Sequence, residues 1–424
     1  MSTELEVQNK EQKEIDDIIN KQFNNIVDLS KIDTSVAHWF DTGNLALNYA
    51  CSKHLYYGIP MGRVTSIDGL TGTGKSLLTA SILKDPSIDL VILIETEGGG
   101  SGAELLNFAG VDLSKIRMAK ANTFGNYRVA IKSQKIEAVR EDAFPAKAET
   151  STYHYVEGAT RLVKKLVNAV RFNKKLQNKK IIVILDSLGN LQSVRELTGT
   201  PDMGARAQEI SQFFRTFDVA FEQGQISFIF TNKLYTNIGN EYDPWKVTGG
   251  VNVEYNPSLN IRLATTAQTD DISDSDLKEE KDRRKSSLGS TLKTIKATIK
   301  KSRFGTELRN AYFLIDFGSG GIAKYSGLFK LLKDFEIAKQ SGPRYSIEGM
   351  FDDKSFFKKD FINMLLEDEE KNLEIIQTKL AEAEKKFRDQ TKLELADIKT
   401  KEEEIEEEEL EYDSNEFREA VDDD

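Results

Sequence analysis

Residues 63–83, RVTSIDGLTGTGKSLLTASIL, constrain the fold more than any other stretch. Gly69, Gly74, Lys75 and Ser76 have the spacing of a phosphate-binding loop, with a β-branched run before them and an apolar-periodic segment after them. This order predicts a strand ending at Asp68, a glycine-rich turn and a helix starting near Lys75. Such a turn aims several backbone N–H groups and a helix N-terminus at one point, where an anion is stabilised. Gly69, Thr71, Gly72, Thr73, Gly74 and Leu77 are the backbone candidates for that contact. Lys75 would neutralise the β- and γ-phosphates of a nucleotide, and the Ser76 hydroxyl would ligate Mg²⁺.

Composition narrows the setting. A chain of 424 residues with 39% hydrophobic content can bury a sizeable core plus smaller units. No apolar run approaches the roughly 20 residues needed to span a bilayer. The polar N-terminus lacks the apolar segment of a secretory signal, and a lone cysteine, Cys51, excludes an internal disulfide framework. Three scattered histidines and one cysteine do not make a His/Cys zinc site. A reducing, cytoplasmic location is expected. The net charge of −11 is concentrated: of 69 acidic and 58 basic residues, 14 and 2 fall in 401–424, leaving 55 and 56 in the rest. The near-neutral body is therefore compatible with an anionic partner.

Two further stretches read as strands buried on both faces of a parallel sheet. Residues 89–97, DLVILIETE, end in Glu95 and Glu97, and 179–190, KKIIVILDSLGN, carry Asp186 at the strand end. Ligands of open α/β sheets sit outside the carboxyl ends of the strands, which brings these acids toward the phosphate loop. Asp186 is the candidate carboxylate for Mg²⁺ or its water, and one of the two glutamates is a candidate base for an attacking water. A fourth strand, 225–233, ends in Asn232 and Lys233 at the same edge.

The remaining segments set the organisation. Apolar residues between 10 and 29 recur at helical spacing, predicting an amphipathic helix that covers its own domain or a neighbouring subunit. Residues 122–158 read as a loop or inserted hairpin. A helix is predicted over 159–176, and another from Met203 with Ile210, Phe213, Phe214 and Phe217 on one face. Residues 234–252 read as a long glycine-rich, aromatic loop, the kind that is functional or disordered. Residues 269–290 read as a charged exposed excursion, while 291–305 and 310–318 alternate like an antiparallel pair. Leu366, Leu373, Leu380 and Phe387 recur every seven residues and allow a short helical seam. The acidic end, 401–424, has the composition of a disordered tail. Four regions follow: an N-terminal helical segment (1–33), an α/β core (34–340), a helical C-terminal region (341–400) and the tail (401–424).

In this order the pieces resemble the RecA-type recombinases over roughly 34–344. DTGNLALNYA and IPMGR before the phosphate loop are similar to the family's entry segment. ETE at 95–97, followed by AGVD at 109–112, resembles the strand that ends in the family's catalytic glutamate, and Glu97 is the match. LDSLGNL resembles the Walker B strand, MGARAQEISQFFRTF the helix after the first DNA-contact loop, and FTNKLYTNIGN with TGG at 248–250 the second. KKSR at 300–303 and YSGLFKL at 325–331 are closest to the phage UvsX-like branch. Lys233 stands where bacterial relatives carry a γ-phosphate-sensing glutamine, and GGGSGAEL stands where they place a tyrosine against adenine.

The resemblance implies a RecA-like α/β ATPase core with a central, mostly parallel sheet, taking ATP and Mg²⁺ and forming a homo-oligomeric helical filament on single-stranded DNA. It implies pairing with homologous duplex DNA, with mediator and single-stranded-DNA-binding proteins as possible partners. Lys301 and Arg303 would reach the γ-phosphate of the adjacent subunit as arginine-finger analogues. Arg195, Arg206 and Lys246 would meet DNA phosphates, with Tyr235, Tyr242 and Trp245 against bases and Gly249 and Gly250 in the second loop. Two rivals stay open. A closed-ring hexameric helicase would share the phosphate-site motifs but calls for a substantial further domain, for which 1–33 is short. A non-exchanging paralogue would use ATP only to regulate assembly.

Overall fold

A computed structural model describes residues 35–96, 101–119, 127–132, 135–140, 150–151, 156–193, 204–236, 245–250, 252–266 and 292–392. The expected helix within 10–29, the excursion at 269–290 and the acidic tail lie outside these residues, as do Glu97, Arg195 and Tyr242.

A short antiparallel pair, β1 (Trp39–Phe40) and β2 (Ile59–Pro60), brackets a helix at Leu45–Ser52 that Asn44 caps by accepting from Leu47 N at 2.9 Å. The main sheet then takes in β3 (Val64–Gly69), β4 (Leu90–Glu95), β5 (Ile116–Ala119), β9 (Ile181–Asp186), β10 (Ile226–Thr236), β11 (Trp245–Val247), β12 (Leu259–Thr265), β13 (Leu292–Ser302), β14 (Asn310–Asp316) and β15 (Gly321–Ile322). Its order is β15-β14-β13-β12-β3-β10-β9-β4-β5, with β11 paired to β10. The run from β12 to β5 is parallel; β13, β14, β15 and β11 join antiparallel. All six parallel strands therefore deliver their carboxyl ends to one edge.

The continuous apolar runs are explained by helices on both faces. Successive residues of a strand point to opposite sides, so Ile182 and Ile184 join one core and Val183 and Leu185 the other. The first core includes Ile67, Ile229 and Ile261 with Leu47, Leu77 and Leu78. The second sets Phe228 and Phe230 against the helix Ala205–Gly224, whose Ile210, Phe213, Phe214, Phe217 and Phe221 are all buried. Phe221 stacks on Phe228 with centroids 5.2 Å apart. A helix at Val156–Phe172 completes this layer. Between β5 and that helix, β6 (Tyr127–Lys132), β7 (Lys135–Arg140) and β8 (Thr150–Ser151) form a separate antiparallel sheet around a hairpin.

The C-terminal region adds a small sheet of β16 (Lys339–Ser341), β17 (Arg344–Ser346) and β18 (Phe356–Phe357) to its helices, beyond the all-helical expectation. Leu373, Ile376 and Leu380 of the helix 369–392 share an apolar cluster with Leu45 and Tyr49. Tyr49 donates to Glu384 at 3.0 Å, and Glu384 also pairs with Arg309. Leu366 and Phe387, the outer members of the heptad series, are exposed. The seven-residue spacing thus reflects docking on the chain's own core, where residues 373, 376 and 380 fall on one helix face.

Candidate functional site

The carboxyl edge of the parallel strands gathers most of the expected residues. β3 ends at Gly69, the turn follows, and the helix Lys75–Ile82 begins where expected. Gly74 sits at φ +87°, and a Cβ there would come 2.4 Å from Ile315 Cδ1, so backbone conformation and packing both demand glycine. Lys75 Nζ donates to the carbonyls of Gly69 and Leu70, each at 2.9 Å, which curls its side chain over the turn. Thr73 Oγ1 donates to Leu70 O at 2.8 Å and tightens the same turn. Thr71 and Gly72 lie at its apex, while Leu77 anchors the helix in the core.

Ser76 Oγ lies 3.2 Å from Asp186 Oδ2, so the hydroxyl and carboxylate expected at a metal do converge. The other carboxylate oxygen accepts from Thr231 Oγ1 at 2.5 Å. Glu95 is level with Asp186 in the ladder and accepts from Gly102 N at 3.2 Å, at the start of the helix Ser101–Phe108. Asn232 is fully buried; its amide donates to Thr248 O at 2.7 Å and its oxygen accepts from Lys233 N at 2.9 Å.

That bond joins the edge to the neighbouring hairpin. The 234–252 stretch is not one open loop: β10 runs on to Thr236, and β11 returns beside it with Tyr235 opposite Lys246 and Thr236 opposite Trp245. Alternating side chains explain the extension, because Leu234 and Val247 face each other at the base of the hairpin. Tyr235 and Lys246 are exposed. Gly249 at φ +109° would bring a Cβ within 2.9 Å of Val253, and Gly250 one within 3.0 Å of Ala207, so both glycines have packing reasons to be there. Arg206 donates to the carbonyls of Gly189 at 2.6 Å and Leu188 at 3.4 Å, which ties its helix to the segment after Asp186.

Lys301 and Arg303 lie elsewhere. β13 is antiparallel to β12, so its C-terminal end is at the opposite edge: Lys301 pairs with Asn260, which is level with Ser66 of β3. Lys301 Nζ donates to Tyr255 O, and Arg303 lies 3.9 Å from Asp218.

Three features escaped the sequence reading. Thr231 reaches Asp186 only because β10 and β9 are in register. Lys293, at the start of β13, and Phe317, after β14, stand beside the glycine-rich turn, with Lys293 Nζ 3.5 Å from Gly72 O and 4.7 Å from the Phe317 ring centroid. An antiparallel strand begins at the edge where its parallel neighbours end, and the pairing of β13 with β12 that puts Lys293 there is not marked in the sequence. Finally, Asp68 is fully buried beside the turn and accepts from Asn260 Nδ2 at 2.8 Å. Burial pushes its carboxyl up to about 7, against the opposing effects of that hydrogen bond and of Arg262.

Among the described residues no helix is long and apolar enough to cross a membrane. No protein-family profile matches the chain. Curated relatives do. "Protein RecA" of Chlorobium chlorochromatii (strain CaD3) is 24% identical over 315 residues, 72% of this chain and 71% of the relative. That of Chlorobaculum tepidum is 25% identical over 326 residues, 74% and 76% of the two chains, and that of Aquifex aeolicus 21% over 336 residues, 77% and 80%. At these identities and this coverage, the matches support a RecA-type family for the chain.

Proposed function

We propose that the chain is an ATP-dependent DNA recombinase of the phage UvsX-like branch, one that polymerises on single-stranded DNA and pairs it with a homologous duplex. The observation that carries this reading is a single sheet edge shared by Lys75, the Ser76–Asp186 contact and the base of the β10–β11 hairpin, joined through the bond from Asn232 to Thr248. The donor set fits the cofactor: a hydroxyl and a carboxylate 3.2 Å apart suit a hard divalent cation beside phosphate oxygens. Mg²⁺ bound there would offset charge on the β- and γ-phosphates. Lys75 would hold the same phosphates, the turn's backbone N–H groups would cradle them, and Glu97 would orient and deprotonate the attacking water.

On this reading Lys301 and Arg303 serve a neighbour. Lys301 is level with a point three residues before Gly69 on β12 and β3, roughly 10 Å behind the turn at the usual rise per residue. A head-to-tail copy would present them directly, and head-to-tail contacts that do not close build an open helical filament. DNA would follow the hairpin, with Lys246 and Arg195 on phosphates and Tyr235, Tyr242 and Trp245 against bases. Arg206 would act from the flank of the same surface, and Gly249 and Gly250 would let the backbone approach. Mediator and single-stranded-DNA-binding proteins would govern access to the strand.

The test is joint-molecule formation between single-stranded DNA and a homologous duplex, with and without ATP. Products are expected only with ATP, and none from Lys75→Ala. ATP-driven unwinding of a forked duplex without joint molecules would replace this reading with a ring helicase. Filament assembly without joint molecules would replace it with a non-exchanging paralogue.

A further inference from the structure

The phosphate turn is approached by a second cation that the motif does not contain. Lys293, the second residue of β13, lies opposite Ile315 of β14, whose Cδ1 would stand 2.4 Å from a Cβ on Gly74. The ladder therefore fixes the Lys293 backbone against the turn. Its ammonium lies 3.5 Å from Gly72 O and over the Phe317 ring, 4.7 Å from the centroid. Among the described residues Lys293 forms no ion pair. Lys75 meanwhile caps the carbonyls of Gly69 and Leu70.

Two ammonium groups thus rest on the carbonyls of one short turn. Neither contact looks like the reason for the residue at 293. A 3.5 Å bond is at the long limit for a hydrogen bond, and the acceptor belongs to an exposed glycine that water would satisfy equally well. Like charges gathered at one turn repel, and a polyanion seated between them converts that cost into attraction. Phe317 steadies the cation without neutralising it, because a ring face attracts an ammonium while leaving its charge intact.

We propose that Lys293 is a second, same-subunit cation for the polyphosphate chain of a nucleotide in this turn: a positioning residue that favours triphosphate over fewer phosphates. The proposal rests on the nucleotide reading of the turn. The side chain needs only to exchange the Gly72 carbonyl for a phosphate oxygen, a better acceptor because it is charged.

The experiment measures the affinity of ATP, ADP and AMP for the DNA-free full chain by equilibrium dialysis at low salt, in wild type, Lys293→Ala, Lys293→Arg and Lys75→Ala. Lys293→Ala is expected to weaken ATP roughly five- to tenfold, ADP less and AMP hardly at all, as suits one partly screened charge contact. Lys293→Arg should recover most of the loss, and added salt should shrink it. Unchanged ATP affinity in Lys293→Ala, with Lys75→Ala strongly weakened, overturns this proposal and leaves the nucleotide reading standing. An equal loss for all three nucleotides that arginine does not restore makes Lys293 structural and also overturns it. ATP binding by Lys75→Ala at wild-type strength overturns the nucleotide reading, and this proposal with it.

Discussion

The two edges of the main sheet carry charge in opposite ways. At the carboxyl edge Lys75, Ser76, Asp186 and Thr231 contact one another's strands or the turn within 3.2 Å, so the arrangement is already built in one subunit. At the other edge, among the described residues, Lys301 donates to a main-chain carbonyl and Arg303 lies 3.9 Å from the Asp218 carboxylate. Burial, and then Arg303, hold the Lys301 ammonium below its ordinary range, so the pair is under mutual repulsion. The cluster at the carboxyl edge and the cationic pair at the opposite edge lie apart within one subunit, and the proposed filament brings them together between copies.

Exchanging the two edges between subunits has the largest expected effect. Lys301→Ala with Arg303→Ala is expected to leave ATP binding nearly intact but to lower DNA-stimulated turnover by about 10³ to 10⁵, the range for arginine-type charges on a transferring phosphoryl group. Mixed with Lys75→Ala protein, the double variant should regain part of its ATPase activity, since the Lys75→Ala subunit lends intact cations to an intact phosphate turn. Steady-state turnover across mixing ratios measures this, and a flat zero would return Lys301 and Arg303 to a role within their own subunit.

Between the edges runs a strip whose chemistry the strand pattern disguised. Ser66 and Asp68 of β3 and Asn260 of β12 alternate with Ile67 and Ile261, a pattern that normally marks a solvated face, yet Ser66 and Asp68 are 0% exposed and Asn260 2%. Asp68 Oδ1 and Asn260 Oδ1 have no hydrogen-bond partner among the described residues. A proton on Asp68 supplies the donor that two neighbouring acceptors lack. Because burial raises the folded-state pKa to about 7 above the unfolded value, the folded chain holds the extra proton between about pH 4 and 7. That stability is fully present below this window and is lost as pH rises through it, by up to about 4 kcal/mol. Asp68→Asn, which carries a permanent donor, should flatten the slope and be the more stable form at pH 8. Urea midpoints at pH 5 and pH 8 decide it: a wild type that is equally stable at both has no such proton.

What could be read from sequence divides along the same line. The α/β class, the turn and the acid at the end of β9 were legible because a long apolar run ending in a charged residue is the pattern of a strand covered on both faces, with its end at the sheet edge. Register was not. Nothing in 231 or 186 alone says that they meet, and nothing in the alternation of 291–305 says that β13 pairs with β12 and so sets Lys293 beside the turn. The hairpin at 245–247 was hidden because three residues flanked by glycines and aromatics are too few for a period to show. The heptad series left the partner of its helical seam open: a helix docked on its own domain and a helix paired with another both repeat near every seventh residue.

The smallest effect separates two residues of one hairpin. Tyr235 and Lys246 face each other across β10 and β11, so both side chains leave the same side of the ribbon and would meet the same stretch of strand. Their contributions differ in kind. A base stacked on a tyrosine is worth roughly 1 to 3 kcal/mol and owes little to salt, whereas a lysine on a phosphate acts through counterion release. Tyr235→Ala should therefore weaken binding to single-stranded DNA by about ten- to a hundredfold at every salt concentration, leaving the slope of log affinity against log salt unchanged. Lys246→Ala should reduce the magnitude of that slope by about 0.7, with its largest loss at low salt. Titrations of a fluorescent oligonucleotide at four salt concentrations separate the two. If both variants bind like wild type, the hairpin is not the DNA surface, and the bond from Asn232 to Thr248 then serves only to brace the carboxyl edge.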